Sequence, residues 1–427
     1  MVAGTIIGAS IFVQPSLITG HVTSPSAVVL VWAVAGILSL CGALVVAELA
    51  SAYPETGGVY VFLKKEYGSA LGFLWGWAMF WSMHSGIIAA IAVVFARYVG
   101  HFVPLSDIGI RVVAVAAIAA LSWINYRGVR QGSTLQTAFT IVKVSAILII
   151  IVLGASLGPL APVPPGGSGA QTLPQASFQD FGLALVAGLF AFGGWHMVTY
   201  AAGETLQPEK TIPRALLFGM VIVTVSYIAL NAVYFHVLPF ETVVSSTRVA
   251  AEAADAVMGS GGAAVVSGLV VFSTFGALSG IILAGPRVYY SMAQDGLMFR
   301  WLGDVHPDYR TPHRAITLQA IWSSALVFTG TYRALFTRVI YTEWIFFGLL
   351  AAGLIFLRKR PDYSPSYRVW GYPVIPVIFA IASATIVLNQ ILSDVTESAT
   401  GLLLVAIGLP VYYVWSAKHP SPGARPR

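Results

Sequence analysis

A lysine in the middle of an apolar stretch is the residue whose type and position most clearly suggest chemistry. Lys143 lies within the apolar run 132–157, which contains no Asp or Glu. At 1.5 Å of rise per helical residue, its Cα would lie roughly 18 Å from Gln131, near the middle of a hydrocarbon core about 30 Å thick. A lysine at this depth can hold a fixed positive charge in place of a bound cation, or release its proton when water is removed. We therefore predict a functional role for Lys143, against the alternative that its amine merely reaches a water-filled cavity.

Two apolar segments are interrupted by glycine at matching places. The segment 4–12 reads GTIIGASIF, and the segment 188–196 reads GLFAFGGWH. Unwound backbone inside a membrane must face a cavity or a ligand, because its N–H and C=O groups cannot stay unpaired in lipid. Free N–H groups at a helix N-terminus attract a carboxylate, and free C=O groups at a helix C-terminus attract an ammonium group. An α-amino acid carries both charges, so the pair predicts a transporter site at the midplane; close helix packing is the alternative use of these glycines.

Other polar residues in the apolar runs are weaker candidates. His196 lies at the second break and is predicted to line the same site, whereas His84 is more typical of a packed helix residue. Glu343 lies in an apolar run, and Glu48 and Glu204 lie at helix ends, where they could form ion pairs or solvated caps. No metal-ligand spacing, nucleophile–base pair or phosphate-binding loop is present, so no cofactor, metal or enzyme activity is expected.

The composition sets the class of protein that must position these residues. Of 427 residues, 57% are hydrophobic and only 9% are charged, whereas soluble domains carry about 25% charged residues. This excludes a soluble enzyme, a disordered chain and a nucleic-acid binder. The single cysteine, Cys41, cannot form an internal disulfide.

At roughly 20 residues per membrane-crossing helix, the chain has room for about a dozen such helices. We therefore predict an all-α polytopic membrane protein. The predicted helices are the apolar runs 1–18, 26–50, 70–99, 110–124, 132–157, 180–203, 212–238, 260–290, 315–331, 337–357, 372–392 and 398–416.

The distribution of positive charge orients these helices. Most of the 23 Lys and Arg residues fall in alternate connections, which predicts that these connections and both termini are cytoplasmic. The basic segment 358–368 is expected to mark the cytoplasmic side and to contact lipid headgroups. The segment 158–179, rich in Gly and Pro and without charge, is predicted to be an irregular extracellular loop.

Several motifs are spread along the chain. They include the first break, the stretch from the second helix through KKEYG at 64–68, the second break with its following Glu, Pro and Pro-Arg, the segment 292–315, and GLPVYYVW at 408–415. Together they resemble the L-type amino acid transporter branch of the amino acid–polyamine–organocation (APC) superfamily. The resemblance covers essentially the whole chain. It implies two inverted five-helix repeats, 1–157 and 180–357, separated by the extracellular loop and followed by helices 11 and 12 within 358–427. In this reading the first helix is truncated at its start, because relatives carry additional residues there.

The resemblance implies sodium-independent transport of amino acids, usually by exchange, in the plasma membrane of a bacterium. Residue by residue, it assigns the substrate carboxylate to N–H groups and the substrate amine to carbonyl groups at the two breaks. The N–H groups belong to Gly8, Ala9, Ser10 and Ile11, and the carbonyls belong to Ile6, Phe190 and Gly193.

Three further roles follow from the same resemblance. Phe190 would also act as an aromatic lid, and His196 stands where the branch usually has Asn. Lys143 matches the lysine that replaces a sodium ion, with a carbonyl of the first broken helix and Ser279 as its partners.

This chain departs from the branch at two places. Ala9-Ser10 replaces the usual Ser-Gly, and the loop between helices 3 and 4 has no cysteine, so no disulfide-linked heavy chain is expected. The breaks contain no Asp, Glu, Lys or Arg, which favours a neutral amino acid as substrate. A proton-coupled symporter that uses Lys143 is the main alternative, and a membrane sensor that binds an amino acid without transport is a distant one.

Overall fold

The computed structural model describes residues 1–8, 10–157, 177–259, 261–329 and 332–418. Within these residues every regular element is a helix. The α-helices are α1 (Val2–Ile6), α2 (Ser10–Thr19), α3 (Pro25–Ala52), α4 (Val59–Tyr67), α5 (Ser69–Ala78), α6 (His84–Val99), α7 (Asp107–Arg127), α8 (Val129–Leu157), α9 (Phe178–Ala191), α10 (Pro208–Val237), α11 (Phe240–Ser245), α12 (Val249–Met258), α13 (Gly262–Ala284), α14 (Pro286–Gln294), α15 (His313–Thr329), α16 (Tyr332–Leu357), α17 (Val374–Ser393), α18 (Val395–Ala406) and α19 (Gly408–Lys418). A π-helical turn (Met79–Met83) joins α5 to α6, and 3₁₀ helices span Trp195–Glu204 and Arg300–Gly303.

The helices confirm a polytopic membrane protein. In the described part of the chain, nine helical stretches are long and apolar enough to cross a membrane, and Ser10–Thr19 and Tyr341–Leu357 are shorter apolar helices. Each predicted run coincides with a helix or with two consecutive helices. Outward-facing apolar side chains such as Trp123, Ile381 and Tyr413 are more than half exposed, as expected where lipid replaces water.

The boundaries differ from the predicted runs where small residues interrupt a helix. The predicted run 260–290 divides at Gly285, because Pro286 has no N–H with which to continue the helix. A Cβ on Gly285 would also collide with the ring of His84 and the amide of Gln319, so only glycine allows this close approach.

The predicted run 110–124 is longer in the structure. It extends over Asp107–Arg127, and Ser106 caps its start by accepting a hydrogen bond from the Gly109 N–H.

Both breaks predicted from the glycines are present. The helix α1 ends at Ile6 and α2 begins at Ser10, while α9 ends at Ala191 and a 3₁₀ helix begins at Trp195. The predicted loop lies outside the described residues except at its end, where the Ser177 side chain caps α9 in a reciprocal arrangement with Asp180. The division into repeats 1–157 and 180–357 stays a prediction.

Short helices also fill connections between the predicted apolar runs. The helix α4 lies between α3 and α5 and packs against α16. It follows two glycines with positive φ, Gly57 at +118° and Gly58 at +50°. A side chain on Gly58 would collide with Thr199, so the turn brings α4 directly onto the second broken segment.

Candidate functional site

A small cavity lies between the two breaks. Its volume is about 30 Å³, which is enough for about two water molecules. An amino acid needs more room, so the lining side chains must move before a substrate can bind. The residues that line the cavity are Thr5, Ile6, Gly8, Ser10, Ile87, Ile91, Leu189, Phe190, Gly193, Gly194, Met197, Ile281 and Glu343.

The first break places free backbone groups at this cavity. Ile7 has extended backbone angles (φ −70°, ψ 96°), so the helical hydrogen bonds stop there. A Cβ on Gly8 would lie 3.2 Å from the Cβ of Ala277, which shows how closely the break approaches α13. Since α2 begins at Ser10, its first N–H groups lack intrahelical partners and can bind an anion. Ala9 lies outside the described residues.

The second break is a tight turn that contacts the first. The Gly193 N–H donates to the Phe190 carbonyl at 2.9 Å, so the expected amine acceptor already holds one hydrogen bond. Gly194 has a left-handed φ of +95°. The Thr5 hydroxyl lies 2.9 Å from the Val2 carbonyl oxygen and 3.2 Å from the Gly194 carbonyl oxygen, so its one proton is shared between α1 and the turn.

A tyrosine from α10 bridges the two breaks. The Tyr227 hydroxyl lies 3.2 Å from the Ile6 carbonyl oxygen and 3.2 Å from the Ala191 carbonyl oxygen. These two carbonyls end α1 and α9. A single hydroxyl proton is therefore shared between the two broken helices, and a substrate ammonium group would meet carbonyls that already have a donor nearby.

Lys143 is buried (2% exposed) and contacts the first break as expected. Its Nζ donates to the carbonyls of Gly4 and Ile7, both at 2.6 Å. The expected contact with Ser279 is absent from this structure, because the buried Ser279 hydroxyl has no hydrogen-bond partner among the described residues. The two carbonyls at the end of α1 accept two of the three ammonium protons and balance the charge in part. Its role in place of a sodium ion stays a prediction.

His196 and Ile11, which the resemblance assigned to the substrate, do not line the cavity. Both are fully buried elsewhere. The His196 ring packs among aromatic rings, with centroids 4.9 Å from Phe347 and 5.4 Å from Trp195, and neither ring nitrogen has a hydrogen-bond partner. The segment is a 3₁₀ helix with three residues per turn, so Gly194 and Met197 share the cavity face and His196 points away from it. The expected contact of His196 with the substrate is therefore not supported.

Glu343, a weaker candidate from the sequence, lines the cavity. It comes from α16, outside both breaks, and it lines the same cavity as Gly8 and Gly193. In the sequence, Glu343 stands out as an acidic residue within the apolar run 337–357. The preference for neutral substrates rests on the lack of charged residues in the two breaks. Glu343 adds an acidic residue to the cavity from outside them.

Two acidic residues at helix ends form ion pairs. The Glu48 carboxylate, fully buried, accepts from Arg358 Nε at 2.8 Å and from the Val369 N–H at 2.6 Å. Glu204 accepts from Arg287 Nε at 2.9 Å and Nη2 at 2.8 Å. Burial, followed by the nearby Glu48 charge, raises the pKa of Tyr363 in the same cluster. These pairs tie the segment after α16 to α3, and α14 to the second broken segment.

Comparison with known proteins agrees with this architecture. Residues 1–412 match the family model described as amino acid permease. The serine/threonine exchanger SteT of Bacillus subtilis is 32% identical over 97% of this chain and 94% of its own length. The human b(0,+)-type amino acid transporter 1 is 31% identical over 97% of this chain and 86% of its own length. The human cystine/glutamate transporter is 29% identical over 98% of this chain and 84% of its own length.

Proposed function

We propose, from the premise that the chain belongs to the amino acid permease family, that it exchanges neutral amino acids across the plasma membrane by alternating access and without sodium. The observation that carries this proposal is the cavity between the two breaks. It is lined by Gly8 and Ser10 of the first break and by Phe190 and Gly193 of the second. The N-terminus of α2 supplies N–H groups for a carboxylate, and the end of α1 supplies carbonyls for an ammonium group.

Sodium independence is supported by Lys143. Its ammonium group lies against the carbonyls of Gly4 and Ile7. Carbonyl oxygens are ligands that hard cations prefer. A covalently attached positive charge at these oxygens removes the need for a soluble cation to organise the first break.

Alternating access is supported by the small cavity and by the ion pairs. A cavity of about 30 Å³ must open before it can receive or release an amino acid. The pairs Glu48–Arg358 and Glu204–Arg287 lie at helix ends on the side that the charge bias assigns to the cytoplasm. Breaking and remaking such contacts would accompany inward opening, with both termini cytoplasmic and lipid around the outer helices.

Exchange is preferred over symport because the relatives include a protein described as a serine/threonine exchanger. The chain has a single cysteine, Cys41. It lies within α3, so we expect no heavy chain linked by a disulfide. Proton symport through Lys143 is the second candidate, because a buried amine can release its proton.

Proteoliposomes test these proposals directly. Radiolabelled threonine uptake would be measured with unlabelled threonine inside, with no internal amino acid, and with an imposed proton gradient, each in sodium or choline buffer. Exchange predicts uptake that requires internal amino acid and is equal in both buffers. Uptake driven by the proton gradient into empty vesicles would establish symport, and a requirement for sodium would reject the assigned role of Lys143. Binding of amino acids without flux in any arm would indicate a sensor.

A further inference from the structure

Glu343 lies on a wall of the cavity that neither broken segment supplies. This wall consists of aliphatic side chains, Ile87 and Ile91 of α6 and Ile281 of α13, together with Glu343 of α16. Among the described residues that line the cavity, Glu343 carries the only ionisable side chain. Its side chain is 4% exposed. A polar group on an otherwise apolar wall marks the place where a ligand's own polar group is recognised.

One oxygen of the buried Glu343 carboxyl group has no hydrogen-bond partner among the residues that the structure describes. Its Oε1 makes no hydrogen bond, and Glu343 forms no ion pair within the described residues. Lys143, the buried lysine beside the first break, donates to the carbonyls of Gly4 and Ile7. Burying a carboxyl group without a hydrogen-bond partner is unfavourable. A partner that arrives with the substrate would remove this penalty.

We propose that Glu343 accepts a hydrogen bond from the side chain of the transported amino acid and selects hydroxyl side chains over aliphatic side chains of the same shape. The inference rests on the proposed amino acid transport. The backbone groups of the breaks serve the carboxylate and ammonium that all α-amino acids share, so they cannot distinguish one side chain from another. Discrimination must come from a different wall, and the wall that holds Glu343 meets this requirement.

The apolar neighbours restrict the side chain that Glu343 can recognise. Ile87, Ile91 and Ile281 leave little space in a cavity of about 30 Å³. A long side chain would have to displace several of them, whereas a hydroxyl on the β-carbon needs the smallest adjustment. The methyl group of threonine would pack against the isoleucines while its hydroxyl donates to Glu343.

Threonine and valine provide the sharpest test, because they have nearly the same shape and differ in one hydroxyl. Binding to the purified full-length protein would be measured by ligand-induced thermal stabilisation, which also reports whether each variant is folded. The native protein should bind threonine at least about tenfold more tightly than valine. Glu343→Leu should bring the ratio to about one by removing the acceptor, whereas Glu343→Gln keeps an acceptor and should retain part of the preference. Glu55→Leu is the matched control, because it makes the same exchange at a glutamate that lies outside the cavity and is 54% exposed, and it should leave the threonine preference in place.

The outcomes separate this inference from the proposed function. A native threonine-to-valine ratio near one, or an unchanged ratio in Glu343→Leu, would overturn the role of Glu343 while leaving amino acid transport intact. Tighter binding of lysine than of threonine would overturn the assignment to hydroxyl side chains. Failure of the folded native protein to bind any amino acid would reject the proposed function, and this inference with it.

Discussion

The Nζ of Lys143 lies 2.6 Å from the carbonyl oxygen of Ile7, the residue at which α1 stops being helical. The same ammonium group donates to the Gly4 carbonyl one turn earlier. Lys143 thus connects α8 to the end of the first broken helix. The contact places a fixed charge beside the cavity without placing it in the cavity wall, so the lysine organises the site and does not itself contact the substrate.

Replacing the Lys143 ammonium group should weaken substrate binding, because the first break would lose the contacts that hold its backbone in place. Lys143→Met keeps a side chain of similar length but leaves the carbonyls of Gly4 and Ile7 without their donor, which costs about 1–3 kcal/mol for an unsatisfied buried group. We expect at least a tenfold loss of threonine affinity and of exchange rate in proteoliposomes. Lys359→Met removes an exposed lysine after α16 and serves as the control. Native exchange in Lys143→Met would contradict the assigned role.

Loss of the Tyr227 hydroxyl should uncouple the two breaks. Tyr227→Phe removes the group that lies 3.2 Å from both Ile6 and Ala191 carbonyls. A neutral hydrogen bond contributes about 1 kcal/mol, so we expect roughly a fivefold slower exchange with little change in the amount of folded protein. Tyr234→Phe is a matched control in the same helix, because its buried hydroxyl makes no hydrogen bond. Equal exchange rates in the two variants would show that the bridge is not used.

The sequence predicted those parts of the site that depend on neighbouring residues. It did not predict the parts that depend on how distant helices pack. The breaks were predictable because glycines interrupt two apolar runs at matching places, and Lys143 was predictable because a lysine at that depth needs acceptors. The sequence did not predict which residues after Gly194 face the cavity. A 3₁₀ helix and an α-helix have different numbers of residues per turn, so they direct His196 and Met197 differently. Glu343 was visible as a residue, but its place in the cavity depends on how α16 packs against α6. For the same reason the sequence did not predict that the Tyr227 hydroxyl lies between the carbonyls of Ile6 and Ala191, which are far apart in the sequence.

The pair Glu48–Arg358 should be important for stability because Glu48 is fully buried. Removing one partner of a buried ion pair costs about 3–5 kcal/mol, since the other charge loses its compensation. Arg358→Gln should therefore lower the melting temperature strongly, as followed by labelling of the single cysteine, Cys41, during heating. The pair Lys65–Glu55, whose side chains are 39% and 54% exposed, offers the control variant Lys65→Gln. A similar small effect in both variants would mean that Glu48 is satisfied by its other partners.

Glu66 should make the stability depend on pH. It lies in α4 against Gly353 of α16, and neither carboxyl oxygen has a hydrogen-bond partner. Burial raises the pKa of Glu66 well above its usual value, and the positive charge of Arg360 opposes this shift only in part. The folded state therefore holds this proton more tightly than the unfolded chain does. Its contribution to stability is complete below about pH 4.3, the ordinary glutamate value, and falls as the pH rises toward the folded-state pKa.

Glu66→Gln imitates the protonated form of Glu66. It should therefore remove the loss of folding stability that the native protein shows as the pH rises. We expect its melting temperature to exceed that of the native protein by at least about 2 °C at pH 7.5 and to equal it near pH 4. Glu55→Gln provides the control, because Glu55 lies close by in sequence but its side chain is 54% exposed. Melting curves recorded across this pH range would show the native protein losing stability with rising pH while Glu66→Gln stays nearly level. A lower melting temperature for Glu66→Gln at pH 7.5 would instead mean that the charged carboxylate is stabilised in the fold, with Arg360 as the compensating charge.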